Sequence, residues 1–210
     1  MKKLILPATI AAIMATAPLA ATAEVKLSGQ VNRMVASMDN GIDSEIQHLD
    51  NAGSGTRFRL TGEHDSGNGV MIGFNWETQY QSNASGAADV RATGAAQPDI
   101  GDSFQPRKRD LYIKGGFGKV SMGQGDGAAN GITEYEYTGT TYLTGYASPE
   151  DIWGGVTFGN TATTVGDVYD GMDGRSRNDR LRYDSPKLGP VTLSVDTGNG
   201  GKTEMAIRFD

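Results

Sequence analysis

From Val70 to Tyr80 the chain reads VMIGFNWETQY, and its side chains alternate in character. Val70, Ile72, Phe74, Trp76, Thr78 and Tyr80 fall on one side of an extended strand. Met71, Gly73, Asn75, Glu77 and Gln79 fall on the other. The same stride of two recurs along the chain. It predicts strands over Val25–Met38, Thr56–His64, Arg109–Gly115, Val120–Gln124, Arg177–Ser185 and Val191–Thr197, with one more around Met205 and Ile207. In the first of these, Val25, Leu27, Gly29, Val31 and Val35 oppose Lys26, Ser28, Gln30 and Asn32, and Arg33 interrupts the apolar side. The count is about eight strands, and the class is all-β.

The connections carry a second signal. Asp65-Ser66-Gly67-Asn68-Gly69 is a tight turn whose glycines and asparagine supply the positive-φ positions that hairpins require. Residues 116–119 and 186–190 are also tight, the latter bounded by Pro186 and Pro190, which cannot join a ladder. Between these turns lie long segments near 39–55, 81–108 and 126–176. Long loops are uncommon inside a compact soluble domain. A chain that zigzags through a membrane as an antiparallel β-barrel has short turns on one side and long loops on the other.

The first residues fit export to such a place. Lys2 and Lys3 form a basic start, Leu4–Leu19 is apolar, and Ala21-Thr22-Ala23 is a small-residue cleavage site, so residues 1–23 read as a cleavable signal peptide and 24–210 as the mature domain. No other segment approaches the roughly 20 apolar residues of a spanning helix. Removing Lys2 and Lys3 leaves 17 basic against 25 acidic residues, which argues against nucleic acid as a partner. The chain has no cysteine, so disulfide and thiol chemistry are excluded.

Three motifs then coincide with a known family. SGTRFRLTGEHDSGNGVMIGFNWETQ, RDLYIKGGFGKVSMGQGDGAANG and RNDRLRYDSPKLGPVTLSVDTG, in this order, resemble the Gram-negative general diffusion porins, particularly those of alphaproteobacteria. The resemblance spans nearly all of 24–210. It implies a transmembrane antiparallel β-barrel of roughly 16 strands, the size that leaves an aqueous channel. It also implies an outer-membrane location among lipid and lipopolysaccharide, a homotrimer, passive diffusion of small hydrophilic solutes and ions, no cofactor, and a pore-constricting loop within 125–176. Two features depart from the pattern: the mature part is too short for that many strands plus long loops, and the chain ends in Phe209-Asp210. It therefore reads as the N-terminal half of a porin, about eight strands of an incomplete barrel. A non-conducting truncated fragment is one alternative; a soluble periplasmic β-sheet binding protein is the other.

A diffusion pore needs a wet lumen with fixed charge rather than reaction chemistry. Arg57 and Arg59 share one parity of their strand, Arg180 and Arg182 share one parity of theirs, and Lys114 is a further candidate for the pore wall. Guanidinium groups stay ionised at any relevant pH. The resemblance implies opposing acids on the constriction loop, for which Asp126, Glu134 and Glu136 are the candidates and Asp151 a weaker one. The same arginines are equally placed to pair with Glu63, Glu77 or Asp184 and hold strands together. Trp76, Tyr80, Tyr112, Phe117 and Tyr183 are candidates for interfacial aromatic girdles, although Tyr112 falls on the lumen parity.

Enzymatic readings find little support. His48 and His64 are the only histidines, Glu63-His64-Asp65 sits at a hairpin corner, and neither G-x-S-x-G nor H-E-x-x-H occurs. The stretch DGMDGRSRND offers Asp170, Asp173 and Asp179 as oxygen ligands of the kind calcium takes, without the nonapeptide period of a calcium-binding β-roll.

Overall fold

The computed structural model describes residues 24–90, 103–134, 149–169 and 173–209. Ten strands are present among the described residues: β1 (Glu24–Gln30), β2 (Arg33–Asp39), β3 (Ser44–Asp50), β4 (Arg57–Asp65), β5 (Met71–Gln81), β6 (Ser103–Gly115), β7 (Gly118–Gly125), β8 (Asn178–Asp184), β9 (Val191–Gly198) and β10 (Thr203–Phe209). Two short helices, α1 (Pro149–Trp153) and α2 (Val165–Val168), lie between β7 and β8. Eight strands form one antiparallel sheet in the order β1-β4-β5-β6-β7-β8-β9-β10, while β2 and β3 pair only with each other. Strands β1 and β10 are the two edges of the large sheet. Among the described residues no helix is long and apolar enough to cross a membrane, which leaves strands as the only elements able to do so.

The large sheet is turned inside out relative to a soluble protein. Leu27, Phe104 and Met205 are 70, 66 and 77% exposed, whereas Glu77, Asp110 and Arg180 are 0, 6 and 7% exposed. Residues of one parity along every strand form an apolar outer face; those of the other parity form a polar face whose charges pair with each other. Close approach across strands is made possible by glycine at Gly73, where a Cβ would fall 2.3 Å from the Tyr112 ring that lies over it. The sequence places a small residue where the next strand places a large one.

The turn expected at 65–69 forms as predicted. The Asp65 carboxylate accepts the Gly67 amide at 2.8 Å, and Gly67, Asn68 and Gly69 all have positive φ. At the other end of the strands the connections 31–56, 82–102 and 126–177 are long, but β9 and β10 are joined by a single 3₁₀ turn, Asn199–Gly201.

Two boundaries differ from the sequence reading. The expected strand Val25–Met38 is broken at Val31-Asn32, and its second part leaves the large sheet to pair with β3 inside the segment expected to be a loop. The break has local causes: Gln30 and Asn32 side chains donate to the Ser54 carbonyl at 2.8 and 3.0 Å, the Asn32 amide donates to Thr56 Oγ1 at 3.1 Å, and Arg33 turns away to Asp50 at 2.8 Å. Strand β6 begins at Ser103 rather than Arg109. Pro106 hid this, because proline cannot donate to a ladder; here it sits beside a bulge, where the register shifts between Glu77 and Thr78 so that Lys108 faces Glu77 and Pro106 faces Thr78. Arg107 is the extra residue.

Among the described residues a small buried apolar cluster lies apart from the large sheet. Ala36, Met38, Leu49, Ala88, Val90 and Val156 form it, drawn from the β2–β3 hairpin, the segment after β5 and the segment between β7 and β8.

Candidate functional site

The polar face is organised around Glu77. Alternation along β5 turns Gly73, Asn75, Glu77 and Gln79 to this face, and the register sets Arg59 of β4 and Lys108 of β6 on either side of Glu77. The Glu77 carboxylate receives Arg59 Nε at 2.6 Å and Arg107 Nε at 2.6 Å, with Arg57 at 3.6 Å. A carboxylate removed from water keeps its charge only when it is paired and hydrogen-bonded. The bulge at Arg107 is what brings a third guanidinium to it, since it turns Arg107 and Lys108 to the same face. Arg107 also donates to Gln79 Oε1 at 2.6 Å.

A second tier runs across β6, β7 and β8. Arg180 pairs with Asp110 at 2.8 Å and donates to the Gly123 and Asp126 carbonyls at 2.8 and 3.0 Å. Arg182 makes a two-nitrogen contact with Asp184, 2.7 Å at its shortest, and donates to the Gly127 carbonyl at 2.8 Å. Lower on the same face, Glu63 accepts from the Tyr112 hydroxyl and pairs with Lys114, both at 2.6 Å, and Lys119 stands 4.3 Å from the centre of the Tyr112 ring. A cavity of about 310 Å³ opens between these tiers, lined by Arg59, Lys108, Lys119, Arg180 and Arg182 together with Asp110, Asp126 and Asp184. Five cations therefore face three carboxylates.

Acids approach this wall from the segment that follows β7. Asp126 pairs with Lys108. Burial alone would raise the Asp126 carboxyl, but Lys108, then Arg177 and Arg180, outweigh it and hold it below the ordinary value. Glu134 and Asp151 shift the other way: burial pushes both carboxyls up, reinforced at Glu134 by Asp173, Asp151 and Asp126 and at Asp151 by Glu150. Asp151 lies within electrostatic reach of Arg177 and Arg107, and Arg177 within reach of Asp126, Glu77 and Glu134.

The structure thus gathers Arg57, Arg59, Lys114, Arg180 and Arg182 on one face, each with a carboxylate partner. Asp126 stands at the outer end of that face and Glu134 lies within electrostatic range of Arg177, while Glu136 lies outside the described residues. Asp170 also lies outside them. The other two residues offered to calcium are not brought together. Asp173 accepts from the Asn130 side chain and the Gly131 and Ile132 amides at 2.9, 2.7 and 3.2 Å, closing a turn, and Asp179 sits on the opposite parity from Arg180, facing Gln124. Among the described residues no three His, Asp or Glu side chains are gathered as a metal site would need. Sequence reasoning missed Arg107, Lys108, Lys119 and Arg177 as members of the charged array. The signal that would have found the first two is the Arg-Lys-Arg run at 107–109, once strand β6 is allowed to pass through Pro106.

The profile of the Gram-negative porin family matches residues 8–206. The chain belongs to the Gram-negative porin family. Among solved structures this porin resembles the anion-selective porin from Comamonas acidovorans, with a TM-score of 0.52 and 22% identity, covering 84% of this chain and 46% of that one. It also resembles in-vitro folded OmpT, an outer membrane protein of Vibrio cholerae in trimer form, with a TM-score of 0.52 and 12% identity, covering 90% of this chain and 46% of that one. The porin therefore spans just under half the length of both. A comparison with curated protein sequences gives no significant match.

Family membership puts the porin in the outer membrane and gives the inverted sheet its physical reason: lipid is the solvent of the outer face. The tight turns after β4, β6 and β8 then belong to the periplasmic side and the long connections to the outer side. Aromatic side chains gather at both ends of the outer face. Phe58, Tyr80 and Phe104 lie near the outer ends of their strands, Phe58 6.2 Å and Tyr80 5.2 Å from Phe104, and Phe58 also meets Trp76, at the middle of β5, edge-on at 6.0 Å. At the periplasmic end Tyr183 donates its hydroxyl to the Phe117 carbonyl at 2.8 Å. Amphipathic rings are favoured at both levels. Tyr112 points to the polar face instead, as its parity requires.

Proposed function

We propose that this porin forms the wall and part of the constriction of a water-filled channel through which small hydrophilic solutes diffuse passively, with a preference for anions. The observation that carries the reading is the cavity lined by five cations and three carboxylates, with Arg57 and Arg107 joining its Arg59 on Glu77. Such a wall attracts anions by a field that low-dielectric surroundings focus. Arg57, Arg59, Lys114, Arg180 and Arg182 supply its fixed positive charge, and Asp126 and Glu134 oppose them from the loop, so that the field runs across the passage and aligns water and solute dipoles. No step of this function requires bond making or a cofactor. The anion-selective description of the Comamonas porin supports the sign of the preference, and the trimer form of OmpT supports a trimeric assembly among outer-membrane lipid and lipopolysaccharide. Conduction requires that the edges of β1 and β10 be paired, because lipid offers their backbone groups no hydrogen bonds.

The test is the reversal potential of the protein in a planar bilayer under a salt gradient. Stepwise conductance with chloride more permeant than potassium is the expected result. A cation preference would overturn the selectivity, and a folded, inserted protein without conductance would overturn the channel.

A further inference from the structure

Residues 149–169 form the second half of the segment between β7 and β8, and they are held by contacts far from the charged wall. The Ser85 side chain, fully buried, accepts the Ala52 amide at 2.9 Å and donates to the Asp151 carbonyl at 2.5 Å. Farther along, the Thr157 amide donates to the Asp89 carboxylate at 3.3 Å and the Gly159 amide to the Asn40 carbonyl at 2.8 Å. Gln47 on β3 donates to the Asp89 carbonyl at 2.7 Å, so the hairpin and the segment after β5 are bonded to each other as well as to this limb. Val156 enters the same apolar cluster as Met38, Leu49, Ala88 and Val90. The packing is backbone against backbone: a Cβ on Gly155 would fall 2.6 Å from the Ala88 carbonyl oxygen, and one on Gly154 would fall 2.7 Å from that of Gly86.

The support beneath is itself tied together by one carboxylate. Asp50, at the end of β3, accepts the Ser82 and Asn83 amides at 2.8 and 3.0 Å and pairs with Arg33 at 2.8 Å. Two chain segments that leave the sheet at different strands are thereby fused into one base. Asp151 of the same limb lies within electrostatic range of Arg107 and Arg177. A single short helix, α1, joins the two: its Asp151 carbonyl accepts from Ser85, and its Asp151 carboxyl lies within electrostatic range of Arg107 and Arg177.

We propose that the β2–β3 hairpin and residues 82–90 act as a positioning platform that fixes the distance of the 149–169 limb from the arginine wall, with Ser85, Leu49 and Asp50 as its positioning residues. The limb does not set its own place in the passage; the outer hairpin sets it. This rests on the channel reading for its functional consequence, while the docking itself does not. The device explains why so compact a hydrophobic cluster exists outside the sheet. A lumen loop contacting only charged, wetted side chains would be free to move, whereas one anchored in a dry cluster is held in a single arrangement.

The experiment compares Leu49→Ala, Ser85→Ala and the volume-conserving Leu49→Met in the full chain, reading amide hydrogen exchange along the chain and the reversal potential and single-channel conductance in bilayers. Leu49→Ala and Ser85→Ala are expected to speed exchange across 149–159 by about tenfold or more, as expected when a buried contact of a local cooperative unit is lost. Exchange in β5 to β8 stays unchanged, and ion preference and conductance shift. Leu49→Met restores both readouts. Unchanged exchange in 149–159 in both variants overturns the platform. Faster exchange with unaltered ion preference and conductance overturns the positioning role. A wild-type protein that never conducts, but whose limb loosens as described, overturns the channel reading and leaves the docking supported.

Discussion

The large sheet and the outer platform obey opposite burial rules within one chain. In the sheet Phe104 and Met205 are exposed while Glu77 and Arg180 are buried; in the platform Met38 and Leu49 are buried and Val35 and Ile46 of the same hairpin face outward. The difference lies in the solvent on each side. Lipid accepts the apolar face of the sheet and leaves its polar face to gather charge around a wet cavity. The platform lies outside the large sheet and assembles a small apolar core of its own, which it does by borrowing Ala88, Val90 and Val156 from two other segments. Burial in this molecule therefore identifies function only after the solvent of each face is known.

The largest effect is expected at the centre of the inverted region. Glu77→Ala leaves Arg57, Arg59 and Arg107 without their shared carboxylate, and removing one side of such a buried ion cluster costs roughly 3–5 kcal/mol. Urea unfolding should show that loss, and the reversal potential should move toward stronger anion preference because one negative charge has gone. Next comes Val195→Arg on the outer face of β9. On a soluble protein a substitution at a side chain 38% exposed stays within about 0.5 kcal/mol. Facing lipid it should cost about 2–4 kcal/mol near the bilayer midplane, so unfolding in lipid vesicles decides between the two solvents directly.

Two pH effects sharpen the comparison further. Burial alone would raise the Asp50 carboxyl, but the Asn83 and Ser82 amides and Arg33 outweigh it and hold it below its ordinary 3.8. The folded platform thus binds that proton less well than the unfolded chain. Its contribution is full above the unfolded value and lost as pH falls through the lowered one, so exchange of the Ser82 and Asn83 amides should rise only in strong acid, after correction for intrinsic rates. Glu134 and Asp151 behave oppositely, because burial and neighbouring carboxylates raise their carboxyls. They take up protons at higher pH than ordinary acids do, and mild acidification removes negative charge opposite Arg107 and Arg177. Anion preference should grow as pH falls into the mildly acidic range; a fall in preference would mean these carboxyls do not face the passage.

The sheet was legible in the sequence because its rule is local. A stride of two between apolar and polar side chains needs only adjacent residues to be seen, and it located all eight strands of the large sheet and placed Arg57, Arg59, Arg180 and Arg182 on one face. The bulge was not legible: Pro106 and three successive cations look like the end of a strand, and only the partner strand β5 shows that the ladder continues past them. The platform was not legible for a different reason. Its bonds join residues as distant as Ser85 and Asp151, 66 positions apart, and although Asn40-Gly41 is a hairpin signal, with Gly41 at positive φ, nothing at Val31-Asn32 marks where the strand before it ends.

The extra residue at Arg107 also says something about how such a wall can change over generations. Substitution is cheap on both faces, because one asks only for an apolar side chain and the other only for a wet one; chains 22 and 12% identical to this one keep the same fold. Inserting a single residue is costly, because every side chain beyond it would exchange lipid for water. The bulge confines that exchange to one position, and the extra side chain is the third cation on Glu77. A frame error absorbed in this way leaves behind a new charge in the passage, so length variation inside the strands, rare as it must be, is a direct route to altered selectivity.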